Sequence, residues 1–329
     1  MPPQTCAKPP STSPTEMPDY SVEAVRGLGE ITPDTDLDEL IGQIDLNPGD
    51  IVLITSKVVS KAEGMIRSGD RIEAIAGEAI RTVAKRANTH ITENRLGMTM
   101  AASGVDASNV AHGKVLLLPR DPDATARRLR NHAAVNLGVI ITDTAGRPWR
   151  QGQTDMAIGV AGINPLMSFS GEIDSYGNPL AVTAPAIADE LASAAELATG
   201  KLGQAPIAIV RGLGEHVLPP GDDGPGAQAL IRPREDDLFA LGTREAVMAV
   251  LTQTQLDCFG SPATTEEVAA ALVAVGLSSQ PSEAGLRVEA TDPQSQTVLG
   301  LLALAHSWQL AGLPSHGDDP AYLLTPSQR

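Results

Sequence analysis

The sequence predicts an α/β or mixed α+β body followed by a small, mostly helical C-terminal module. Three observations carry this. Apolar runs at Ile51–Thr55 and at residues 137–142 are too short for helices and have the length of buried strands. Stretches with apolar residues at helical spacing lie between such runs. Clusters of Gly, Pro, Asn and Asp punctuate the two kinds of segment. Strands alternating with helices indicate α/β or mixed α+β architecture.

In chain order, residues 21–26 read as a first strand, closed by Gly27-Leu28-Gly29. Residues 36–44 read as a helix, with Leu37, Leu40, Ile41 and Ile44 on one face. Asn47-Pro48-Gly49-Asp50 is a turn into the apolar strand Ile51–Thr55. Residues 70–87 read as one long helix, and Ile91-Thr92 begins a short extended piece. Residues 115–118 form a strand, and Asp121-Pro122-Asp123 opens a helix to His132. Residues 137–142 form the central strand. The Ala-rich stretch 185–199, with Asp189, Glu190 and Glu196, is a helix ended by Gly200, and residues 206–211 are a further strand. Val25-Arg26-Gly27-Leu28-Gly29-Glu30 recurs as Val210-Arg211-Gly212-Leu213-Gly214-Glu215. Two copies do not make a repeat protein, so the echo is either convergence on one strand-to-loop turn or a pair of neighbouring turns.

The expected domain order is a disordered Pro-, Ser- and Thr-rich tail (1–20), a body (21–218), a linker (219–233) and the module (234–329). The tail has no apolar core of a signal peptide. In the module, residues 238–256, 264–275 and 295–310 read as helices and 286–290 as a strand, without a cluster of chemistry-bearing residues. The capping box Thr264-Thr265-Glu266-Glu267 opens the second helix.

The chain of 329 residues carries a formal net charge of −16 and only 2% aromatics. That balance disfavours binding to nucleic acid and to anionic membranes. Anionic substrates must be held by local Arg, Lys or metal against this field. The two cysteines, Cys6 and Cys258, form no CxxC motif and no disulfide framework. A reducing cytoplasm is the expected compartment, and no apolar run is long enough to span a membrane.

Residues 140–155, Ile-Ile-Thr-Asp-Thr-Ala-Gly-Arg-Pro-Trp-Arg-Gln-Gly-Gln-Thr-Asp, are the most informative stretch. An apolar strand ends in Asp143, and Asp155 follows in a loop-like stretch with arginines and threonines. A carboxylate at a strand end sits where open α/β sheets bind ligands. Carboxylate and hydroxyl oxygens suit Mg²⁺ or Mn²⁺, and arginines suit phosphate. Three more clusters are polar: 55–64, with hydroxyls and lysines directly after a strand; 102–109, with Asp106 and Asn109; and 170–179, an acidic turn. Each also fits ordinary turn chemistry. The Walker A pattern and the Gly-x-Ser-x-Gly elbow are both absent, whereas separated carboxylates with Lys and Arg suit phosphoryl transfer.

Together these clusters resemble one family, the coenzyme F-420-0:L-glutamate ligases or γ-glutamyl ligases. The resemblance rests on Thr-Ser-Lys-Val-Val-Ser-Lys-Ala-Glu-Gly (55–64), Gly-Val-Asp-Ala-Ser-Asn-Val (104–110), Leu-Pro-Arg-Asp-Pro-Asp-Ala (118–124), residues 141–155, and Ala-Asp-Glu-Leu-Ala-Ser-Ala-Ala-Glu-Leu (188–197), in family order. It implies a family-specific ligase fold, a homodimer, and a GTP-dependent amide ligase adding L-glutamate to coenzyme F-420-0. Mg²⁺ or Mn²⁺ is the implied metal, with K⁺ allowed for and no flavin. The resemblance further implies that Leu28, Gly29, Glu30, Ile31, Ser56, Lys61 and Asn109 contact GTP, with Gly200 and Lys201 nearby. Asp106, Asp143 and Thr144 are the implied metal ligands, and Asp106, Asp143 and Lys61 the implied catalytic residues.

Two features depart from the family pattern. Ala102 stands where many members have Asn. Residues 235–243 resemble the joint that opens a flavin-binding domain in long members, yet only about 90 residues follow, too few for such a domain. A paralogue ligating another acid and amino acid, or a silent nucleotide-binding protein, are the competing readings.

Overall fold

The computed structural model describes residues 19–181, 183–313 and 320–327. The expected tail, 1–20, lies almost wholly outside the described residues. The chain divides into two compact units after Pro233.

The first unit contains, in order, β1 (Ser21–Val25), α1 (Leu37–Gly42), β2 (Ile51–Thr55), α2 (Ser56–Ala62), β3 (Ile66–Ser68), α3 (Arg71–Glu78), β4 (Ala79–Arg86), β5 (Thr89–Asn94), β6 (Thr99–Ala101), β7 (Lys114–Leu116), α4 (Pro122–His132), β8 (Gly138–Gly146), β9 (Gln153–Ala161), α5 (Ile187–Thr199) and β10 (Ile207–Arg211). The fold is mixed α+β, as the alternating pattern predicts. Its centre is a five-stranded sheet in the order β1-β10-β2-β8-β9, where only β2 and β8 run parallel.

The sheet is covered on both faces, which explains why β2 is apolar throughout. Val52 and Ile54 point to one core with Val139 and Ile141, against Leu37 and Ile41 of α1, Val58 and Val59 of α2, and Leu129 of α4. Ile51 and Leu53 point to the other, with Ile140, Ala208 and Val210, against Ala188, Leu191 and Ala195 of α5. Each such fully buried Val, Leu or Ile side chain contributes roughly 1.5–3 kcal/mol. Small residues allow α4 to approach β9: a Cβ on Gly159 would lie 2.5 Å from the Pro122 carbonyl carbon.

Several sequence expectations need correction. The single helix expected at 70–87 stops at Glu78, and Ala79–Arg86 pairs antiparallel with β5. Asp70 caps the short helix by accepting from the Ile72 and Glu73 amides. Beyond it the exposed Ile80 and the Arg81–Glu93 pair belong to a sheet surface, whose alternation the longer helical reading had absorbed. β8 does not end at Asp143 but continues to Gly146 and returns through β9 as a hairpin. Asp155 therefore lies in β9 and not in a loop. The echoed turns are not neighbours: β1 and β10 pair antiparallel, with Ser21 opposite Arg211 and Val25 opposite Ile207, so the turns leave opposite ends of the pair.

Residues 219–233, read as a linker, are tied into the first unit. The buried Arg130 guanidinium donates to Leu137 O, Leu218 O, Pro219 O, Asp222 O, Asn136 Oδ1 and Asp223 Oδ1. Asp123 Oδ1 accepts from the Ala227 amide at 2.8 Å, and Ala227 is buried.

The second unit contains α6 (Thr243–Thr252), α7 (Thr265–Ala274), β11 (Ser279–Ser282), β12 (Gly285–Glu289), α8 (Pro293–Ala305), β13 (Trp308–Gly312) and β14 (Ala321–Pro326). It holds more sheet than the sequence reading expected, an antiparallel array in the order β11-β12-β14-β13. The expected helix 295–310 ends at Ala305, and Ser307 turns the chain at φ 55°. Trp308 then enters the sheet, with Nε1 donating to Ala263 O at 2.8 Å. The capping box is present at Thr264 and Glu267.

Candidate active site at the end of the parallel strand pair

β2 and β8 share their last rung at Thr55 and Thr142. One residue further, β2 gives way to α2 at Ser56, and β8 presents Asp143. Ser56 Oγ donates to Asp143 Oδ1 at 2.7 Å, so the two chains remain joined past the last rung. The carboxylate thus sits at the carboxyl end of a parallel pair, where α/β sheets bind ligands.

Lys57, the next residue of α2, reaches Asp106 Oδ2 at 2.7 Å. Asp106 is fixed independently of that pair. Its backbone exchanges hydrogen bonds with Leu116 of β7 at 3.0 and 2.8 Å, and its carboxylate accepts from the Ser108 amide and hydroxyl. Burial works against the Asp106 carboxylate, but hydrogen bonds from Lys57 and Ser108 outweigh it and hold its pKa down at about 2. Burial pushes Asp143 up to about 6. The Ser56 hydrogen bond and the Lys57 charge oppose that rise, while Asp155 and Asp106 add repulsion to it. Glu196, on the last turn of α5, is raised by burial and by Asp155, with Lys201 and Lys57 acting against the rise.

Four turns of chain therefore converge: the start of α2, the 102–109 loop, the β8–β9 hairpin and the end of α5. Thr144 belongs to this group, since its hydroxyl lies 3.5 Å from Lys201 Nζ. Lys61 stands one helical turn beyond Lys57 and pairs with Glu30 at 2.6 Å, which brings α2 to the 27–31 loop. Within that loop Gly27 and Gly29 have left-handed backbones, Leu28 packs on the core, and Ile31 is buried. Asn109 is exposed with φ 57° at the rim of the Asp106 loop, and Gly200 turns the chain at φ 63° ahead of Lys201. The acidic turn 170–179 closes on itself through Asp174 and Asn178 and contributes no residue to the group. A cleft of about 330 Å³ lined by Glu63, Arg120, Asp121, Thr125 and Arg128 contains none of the expected site residues.

Sequence reasoning named Lys57 and Asp155 only as members of polar clusters and Glu196 only as a helix residue, and put none of the three among the site residues. Lys57 had a signal: it precedes Lys61 by four residues and so shares its helix face. The surroundings of Asp155 and Glu196 become visible only through the hairpin register and the packing of α5.

The sequence model of the F420-0:Gamma-glutamyl ligase family matches residues 27–212. This chain belongs to that family. It is thereby a ligase. The Coenzyme F420:L-glutamate ligase of Methanopyrus kandleri is 40% identical over 250 residues, spanning 68% of this chain and 98% of the relative. The protein of the same name from Methanothermobacter thermautotrophicus is 40% identical over 223 residues, 60% of this chain and 87% of the relative. That from Haloarcula marismortui is 35% identical over 257 residues, 68% and 97%.

The family match covers every converging element. The donor chemistry also fits the metal that the resemblance implies. Among the described residues no group of three or more His, Cys, Asp or Glu could hold a metal by itself. Mg²⁺ does not require one, because it is commonly held by one or two carboxylates with substrate phosphates and water. Asp106, Asp143 and the Thr144 hydroxyl are hard oxygen donors of that kind. The repulsion that Asp155 and Asp106 exert on Asp143 is of the kind a bound cation would relieve.

Proposed function

We propose that this chain joins the amine of L-glutamate to the terminal carboxylate of coenzyme F420-0 at the expense of GTP, with Mg²⁺ or Mn²⁺. The convergence of Asp143, Ser56, Lys57, Asp106 and Thr144 at the end of β2 and β8, in a chain of this family, carries the reading. Relatives named for the same reaction support it.

In this reading Asp106, Asp143 and Thr144 hold the divalent cation, which supplies charge neutralisation for the nucleotide phosphates. Lys57 and Lys61, on one face of α2, offer further positive charge, and the 27–31 loop with Asn109 lines the nucleotide. The acceptor carboxylate oxygen attacks the γ-phosphorus as the bond to the GDP oxygen breaks. The amine of glutamate then attacks the acyl carbon, loses a proton, and expels phosphate. The work of the protein here is to position the reactants and to offset charge.

Labelling the acceptor carboxylate with ¹⁸O tests this sequence. Release of phosphate carrying one ¹⁸O supports the acyl-phosphate route. Unlabelled phosphate alongside amide product contradicts it.

A further inference from the structure

Asp155 lies on β9 directly opposite Thr144 of β8 and is only 6% exposed. Both of its oxygens are used by β8. Oδ1 accepts from Thr144 Oγ1 at 2.7 Å, and Oδ2 accepts from Thr142 Oγ1 at 3.1 Å. The two threonines are two residues apart, so they share one face of the strand, and one carboxylate spans both. The rung itself is held from α5: Ser193 Oγ donates to the Asp155 carbonyl at 3.0 Å and shares a hydrogen bond with Thr154 Oγ1 at 2.7 Å.

The polarity of this arrangement is forced. An ionised carboxylate can only accept, and a hydroxyl has one proton to give and two lone pairs. The Thr144 proton is therefore committed to Asp155, and its oxygen is left to accept, as it does from Lys201 Nζ at 3.5 Å. Among the described residues no Lys, Arg or His forms an ion pair with Asp155.

We propose that Asp155 is the positioning residue that makes Thr144 a cation ligand, by fixing the direction of its hydroxyl. This rests on reading the site as a divalent-cation and nucleotide site. Asn at 155 can accept from only one threonine oxygen and can donate to the other, so it removes the enforced polarity.

The test is Mn²⁺ binding, followed by electron paramagnetic resonance of the free ion with a non-hydrolysable GTP analogue present. The proteins are wild type, Asp155→Asn, Thr144→Val, Thr144→Ser and Asp155→Asn/Thr144→Val. Loss of such an outer partner typically weakens metal affinity about 10–100-fold. Asp155→Asn and Thr144→Val are expected to show weakening of that order, and Thr144→Ser to bind like wild type. The Asp155→Asn effect is expected to vanish largely in the Thr144→Val background. Full persistence there would mean that Asp155 acts only as charge and would overturn the proposal, as would wild-type affinity in Asp155→Asn. If Asp155→Asn does not fold, Asp155→Ser replaces it under the same criteria, and failure of both makes the carboxylate purely structural and also overturns the proposal. Absence of Mn²⁺ binding by wild type would instead refute the underlying cation-site reading, and the proposal with it.

Discussion

Ser56 Oγ and Asp143 Oδ1 lie 2.7 Å apart, and this bond joins the first residue of α2 to β8 just beyond the last rung shared by β2 and β8. It places a hydroxyl donor on a carboxylate whose charged form burial disfavours. Ser56→Ala removes that donor, and a hydrogen bond to a charged group contributes about 1.5–3 kcal/mol. We expect kcat/KM to fall roughly 10–100-fold at limiting Mn²⁺, with partial recovery at high Mn²⁺. Unchanged kinetics at low metal would show that the bond does not support the site.

Asp106→Asn and Asp143→Asn keep side-chain size while removing charge. Each is expected to abolish most turnover, because both carboxylates are assigned to the cation that assists phosphoryl transfer. Steady-state rates across a Mn²⁺ titration check this. Near-normal turnover of both variants at low metal refutes the assignment.

Lys61 extends from α2 to Glu30 in the 27–31 loop. Lys61→Ala is expected to raise the KM for GTP far more than that for glutamate. Equal rises would indicate a general folding defect.

Ala102 holds a left-handed backbone at φ 56°, followed by Ser103 at φ 55°. An L-residue other than Asn or Gly is disfavoured there. Ala102→Asn, the residue many relatives are expected to carry, should stabilise the fold by about 0.5–1 kcal/mol. Urea unfolding measures the change, and a destabilised variant would contradict the strain argument.

Arg130 presents the opposite case, a buried cation whose hydrogen bonds are all to fixed acceptors. Arg130→Ala takes the donor from the Asp223 carboxylate and from the Leu137 and Asp222 carbonyls, and should destabilise the first unit by about 3–5 kcal/mol. Gly162→Ala should also destabilise it. Gly162 has φ 74°, and an added Cβ would fall 2.2 Å from Arg130 Nε. Thermal unfolding separates these structural effects from the catalytic ones.

What was legible in the sequence was whatever local chemistry decides. Ile51–Thr55 reads as a strand because every residue is wanted by one face of the sheet or the other. Thr264 announces its helix because the side chain caps the backbone directly. The site residues Asp106, Asp143, Ser56 and Lys61 stood out through motif resemblance. Residues 70–87 misled because their alternation serves a helix and then an exposed sheet edge. Asp155 was conspicuous, yet its partners depend on the hairpin register, with a bulge between Ile141 and Thr142. β11, Ser-Gln-Pro-Ser, carries no apolar alternation at all, so β12 was read from the sequence without its neighbour.

The central claim is the addition of glutamate to coenzyme F420-0 by this site. Mass spectrometry of the full-length protein incubated with F420-0, L-glutamate, GTP and Mn²⁺ tests it most directly. The account predicts a product heavier by one or more glutamyl units, formed together with GDP and absent with Asp143→Asn. F420-0 recovered unchanged, from folded protein that binds GTP and Mn²⁺, would contradict it.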